Sequence, residues 1–147
     1  MITIDPPSPD FPLPSKPALS RFLNRARLLL PLPGTVEVLL TSDAELKRLN
    51  RTFRRKNKPT DILSFPTPPE IAHEAAGDLA ISLETAARQA EEHGHPLSIE
   101  LKILLLHGLL HLAGEDHETD SGQMAKRELV LRAQLKLPSG LIERAGK

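Results

Sequence analysis

The chain has 147 residues, the size of one ordinary domain, and its 19 Lys plus Arg balance 19 Asp plus Glu. With 39% hydrophobic residues it can supply a core without cross-links, and with no Cys it excludes a disulfide framework, a thiolate metal cage and a cysteine nucleophile. The longest apolar region, 103–112, is far short of the roughly 20 residues needed to span a bilayer, and no secretory signal pattern precedes it. The reading is a soluble, cytoplasmic protein, with one domain over residues 1–147.

Residues 1–5 alternate enough for a short strand. The six prolines of 6–17 then impose an extended connection. A helix is predicted over 15–30, capped by Ser15 with Pro17 in its first turn, and with Leu19, Phe22, Leu23, Ala26 and Leu30 on one face. A strand follows at 36–41. Ser42 or Asp43 can cap a second helix carrying Leu46, Leu49, Asn50 and Phe53; a turn at 56–59 leads into a strand at 61–65. Residues 66–77, rich in Pro and Ala, read as a loop, and 78–82 as a fourth strand.

A helix at 83–93 offers Ala86, Ala87 and Ala90 as its packing face and ends at Gly94 and Pro96. Ser98 is a candidate cap for the next helix, which runs through Ala113 and is apolar nearly all round from Ile103 to Leu112; that marks a buried central helix. Asp120 with Gln123 resembles a capping box for a last helix that turns Met124, Val130, Leu131 and Leu135 inward. The tail 138–147 reads as loose. One strand connection lacks a helix, which disfavours a purely parallel sheet and predicts an α+β fold, a small mixed four-stranded sheet covered by about five helices.

Charge is segregated. Residues 47–58 hold seven basic residues and no acidic one, whereas Glu115, Asp116, Glu118 and Asp120 cluster further on. Such a basic run can follow a polyanion even on a neutral protein, because phosphate contacts are made locally; a solvated helix face is the plainer reading.

His107 and His111 are four apart on the central helix, so their rings lie one turn apart and can converge on one ion. His117 is the third candidate ligand. On an unbroken helix it would lie about 15 Å along the axis from His107, so the chain must turn back, and Gly114 is placed to make that turn. The result is H-x-x-x-H-x-x-G-x-x-H, the metal-binding part of the metzincin pattern, with Gly108 where zinc peptidases carry their general base. That absence argues against ordinary peptide hydrolysis. Three neutral ligands leave a fourth position open for water, the catalytic arrangement of zinc, although His ligands also suit nickel and other divalent transition ions. His73, His93 and His95 sit in loop or helix-end positions and read as surface residues.

Residues 107–117, HGLLHLAGEDH, resemble the H-G-x-L-H-L-x-G-Y-D-H signature of the YbeY endoribonucleases. Residues 49–66, LNRTFRRKNKPTDILSFP, are similar to that family's second block and 77–82, GDLAIS, to its third. The resemblance implies a zincin-like α+β fold and one zinc ion per chain held by His107, His111 and His117. It also implies that Arg54 is the functional arginine of a single-strand-specific endoribonuclease in ribosomal RNA maturation and ribosome quality control. The implied partners are single-stranded ribosomal RNA, the ribosomal small subunit with its proteins, and an assembly GTPase.

A guanidinium is a planar, always charged fork suited to phosphate oxygens, which gives Arg54 a phosphate-holding role; Arg51, Arg55, Lys56 and Lys58 are candidates for tracking the RNA backbone. Asp116 either orients a ligand ring or caps a turn. Glu115 stands where the family has Tyr, and it either hinders RNA or serves as a base. Aromatic residues are only 3% of the chain, so base stacking has little to work with. Two other readings remain at this level: a metal-dependent hydrolase of peptide or amide bonds, and a non-catalytic ribosome-assembly factor with a structural zinc.

Overall fold

The computed structural model describes residues 1–30, 32, 34–54, 61–66, 75–114 and 122–137. Among them are four strands, β1 (Ile2–Ile4), β2 (Thr35–Thr41), β3 (Ile62–Pro66) and β4 (Ala75–Ser82). Five helices accompany these: α1 (Lys16–Leu29), α2 (Asp43–Arg54), α3 (Leu83–Glu92), α4 (Leu97–Leu112) and α5 (Gln123–Leu135). The strands form one sheet in the order β1-β2-β4-β3. β1, β2 and β4 are parallel and β3 is antiparallel to β4, so the sheet is mixed, as the sequence predicts.

Two faces of this sheet are used unequally. Ile2, Val36, Val38, Leu40, Leu79 and Ile81 belong to the main core with α1, α3, α4 and α5. Because side chains alternate along a strand, Leu63 and Ala80 fall on the other face, where they meet Leu46 of α2. β3 is an edge strand with α4 on one side and α2 on the other.

Local signals account for most of the helices. Ser15 Oγ accepts from the Ala18 amide, with Pro17 in the first turn, and Leu19, Phe22, Leu23 and Ala26 are buried as the periodicity requires. Ser42, rather than Asp43, supplies the cap of α2, accepting from the Glu45 amide at 3.2 Å. Asp43 reaches across to α3, where it accepts from the hydroxyls of Ser82 and Thr85 and from Arg88.

Four expectations are corrected. β4 begins at Ala75, inside the expected loop, because backbone pairing on both sides extends it: Ala75 pairs with Thr35, and Gly77 pairs with both Val36 and Pro66. Ala and Gly have low strand propensity, so the sequence carries no local sign of this. α4 starts at Leu97 behind Pro96 with no side-chain cap, which leaves Ser98 inside the first turn.

The cap position of α5 is Gly122 in the left-handed region, and it makes no side-chain cap bond; Asp120 lies outside the described residues. Val130 is 58% exposed, whereas Met124, Leu131 and Leu135 are buried. At 100° per residue Val130 is rotated by about 240° from Met124, and the inward positions between the apolar ones go to Glu128 and Arg132 instead. The tail 138–147 lies outside the described residues. Among the described residues no helix is long and apolar enough to cross a membrane.

Candidate metal centre

α4 is buried on nearly every side from Leu101 to Leu110, which is why its sequence shows almost no polar face. Gly108 allows this close seating. A Cβ built there would lie 2.7 Å from the tip of Ile62 and 2.8 Å from that of Leu79, so the helix backbone sits close against these two side chains of β3 and β4. The position at which a zinc peptidase carries its glutamate therefore faces the Ile62 and Leu79 side chains. Gly77 plays a matching part from the strand side, where its would-be Cβ meets Leu112 at 2.6 Å and the Phe65 carbonyl oxygen at 2.7 Å.

Within this packing His107 is 8% exposed, and His111, one turn on, is partly buried. Their Nε2 atoms face each other at 3.2 Å, with ring centroids 4.8 Å apart and planes at 75°. Two imidazole nitrogens bound to one tetrahedral zinc at 2.0–2.1 Å would be about 3.3–3.4 Å apart. The observed separation is close to that value, although as it stands the two nitrogens are at hydrogen-bond distance from each other. The other nitrogen of His107, Nδ1, lies 3.4 Å from Glu128 Oε1 on α5.

α4 ends as the spacing predicts. Gly114 has φ +92° and its amide donates to the His111 carbonyl, which turns the chain directly after the second histidine. His117, Asp116 and Glu115 lie outside the described residues, and among the described residues no group of three His, Cys, Asp or Glu could hold a metal ion.

Arg51 is exposed on α2, across the sheet from the histidine pair, and Arg54 closes that helix. Arg55, Lys56 and Lys58 lie outside the described residues. Of the remaining histidines, His93 is exposed as expected and His73 is outside the described residues. His95 departs from its surface reading: its side chain is only 13% exposed and Nε2 is 2.7 Å from the buried carboxylate of Glu100.

Glu128 is the residue that sequence reasoning passed over. It is 2% exposed on α5, and the only sequence signal was a charged residue at an inward position, between Met124 and Leu131. The other face of the sheet holds a groove of about 610 Å³ beside α2, lined by Leu39, Leu49, Phe53, Phe65 and Asp78 among others. Phe53 and Phe65 meet edge to face there at 5.7 Å, so the few aromatic residues of the chain are partly concentrated.

The fold and the histidine pair define an α+β protein whose buried helix presents two converging imidazoles beside an edge strand. Known proteins make the assignment narrower. Residues 16–136 match the family described as Endoribonuclease YbeY, and the chain belongs to that family. It is 56% identical over 133 residues to Endoribonuclease YbeY of Koribacter versatilis, covering 90% of this chain and 86% of that protein. With the Solibacter usitatus protein of the same name it shares 50% identity over 129 residues, 88% of this chain and 85% of the other. The solution structure of a Thermotoga maritima protein, 26% identical, superposes with a TM-score of 0.57 and 92% coverage of both chains.

Proposed function

We propose that this protein is a metal-dependent, single-strand-specific endoribonuclease acting in ribosomal RNA maturation and ribosome quality control, with a zincin-like centre formed by His107, His111 and His117. One observation carries the reading: in a chain of the Endoribonuclease YbeY family, two ring nitrogens on a buried helix converge at a spacing suited to a shared zinc or similar divalent ion. When bound, that ion would supply Lewis-acid stabilisation of the charge developing on the phosphodiester and acidify the hydrolytic water.

The chain's own residues have separate parts. His107 and His111 hold their side of the ion from a helix fixed on the sheet by Gly108, and His117 closes the set after the turn at Gly114. Arg54 holds non-bridging phosphate oxygens through its guanidinium, and Arg51, Arg55, Lys56 and Lys58 attract the backbone, so binding weakens with salt. Asp116 orients a ligand ring. The substrate is single-stranded ribosomal RNA presented in the cytoplasm with the small subunit, its proteins and an assembly GTPase. A peptidase role is disfavoured because Gly108 stands where zinc peptidases carry their general base.

The test incubates purified wild type and His111→Ala, prepared side by side, with single-stranded ribosomal RNA, with and without chelator. Cutting confined to metal-replete wild type is the expected result. Equal cutting by both proteins would assign the activity to a contaminant, and retained ribosome binding without cutting would favour an assembly factor with a structural ion.

A further inference from the structure

Glu128 lies in a setting that penalises a carboxylate. It is 2% exposed on α5, on the inward stripe that also holds Met124, Leu131 and Leu135. Burying an ionised group is costly unless it is paired, and an apolar residue at this inward position would serve packing alone at least as well. The carboxylate has two partners on opposite sides. Oε1 is 3.4 Å from His107 Nδ1, and Oε2 is 3.6 Å from Nη2 of Arg132, itself 1% exposed.

An imidazole has two nitrogens, and in its neutral form one carries the proton while the other has the lone pair. A carboxylate facing Nδ1 stabilises the tautomer protonated there, which leaves the lone pair on Nε2. In this structure Nε2 is the atom directed at His111. The same contact restricts the ring plane, since Glu128 is carried by α5 and its second oxygen lies at ion-pair distance, 3.6 Å, from Arg132.

We propose that Glu128 is the positioning residue of the metal centre: from α5 it accepts a hydrogen bond from Nδ1–H of His107, which sets the tautomer and ring orientation, with Arg132 as the carboxylate's neighbouring cation. The inference rests on the metal-binding reading above. It extends the centre from the α4 signature to a second helix and makes α5 part of the site.

The experiment uses the full chain and zinc itself, with affinity read by competition against a chromophoric chelator. Glu128→Met/Arg132→Met removes both members of this ion pair together, so neither is left buried without the other. It is expected to bind zinc 10- to 100-fold more weakly than wild type, the usual effect of losing such a partner. Glu128→Gln, which keeps an acceptor in the same place, should recover part of that loss. Zinc affinity equal to wild type in the folded double variant would overturn the role of Glu128 and leave the metal centre standing. A folded wild type that binds no zinc would instead overturn the metal reading, and the inference with it.

A second measurement needs no variant. Nitrogen-15 NMR of the zinc-free wild type at about pH 8 should show His107 protonated at Nδ1; protonation at Nε2 would overturn the proposal.

Discussion

Gly108 and Leu79 are in such close approach that a Cβ on the glycine would lie 2.8 Å from Leu79 Cδ2. A side chain at this position has to displace the tips of both Leu79 and Ile62. Gly108→Glu, which writes the peptidase pattern into the sequence, should therefore destabilise the fold by at least about 2 kcal/mol through overpacking and a buried charge, and yield no peptidase. Denaturant unfolding with a peptide-hydrolysis assay checks this. Peptide cleavage by a stable variant would contradict the packing argument.

Metal binding should register as stability. If the histidines converge on one ion, zinc at about a hundred times its dissociation constant should stabilise the wild type by about 2.7 kcal/mol, a rise of roughly 5–10 °C in melting temperature. His107→Ala and His111→Ala should each lose most of that rise. Calorimetry with and without zinc decides the point, and an equal rise in both variants would exclude these two side chains as ligands.

The turn after His111 depends on Gly114, at φ +92° and with open space around its would-be Cβ. A substitution there meets backbone strain but no collision. Gly114→Ala should accordingly cost about 1 kcal/mol in stability. It should also weaken zinc binding if His117, three residues further along the sequence, is a ligand. Unchanged zinc affinity would show that the direction of this turn does not matter to the centre.

Away from the centre, Asp43 joins α2 to α3. Burial by itself would raise its carboxyl, but hydrogen bonds from Ser82, Thr85 and Arg88, with the Arg88 charge, hold it below the usual carboxylate range. A carboxyl lowered in the folded state stabilises the protein above its unfolded value, and that contribution disappears as pH falls through the folded value. The wild type should thus lose stability below about pH 4 more steeply than Asp43→Asn. At neutral pH the variant should be weaker by about 1–2 kcal/mol, and parallel pH profiles would remove Asp43 from the account.

Much of this protein is legible locally. The i, i+4 spacing of His107 and His111 fixes their shared face once the helix forms, and the apolar run around them marks that helix as buried before any partner is known. Gly114 signals its turn by being the residue that tolerates it. What the sequence left open concerns contacts between elements. Ala75 and Gly77 read as loop, yet pairing with β2 and β3 makes them strand; Val130 reads as core yet is exposed, while Glu128, which the sequence did not single out, is buried. Periodicity describes neighbours along one element, within a few residues of chain. The partner of His107 stands 21 residues away, and only the packing of α5 on α4 decides that it is a carboxylate.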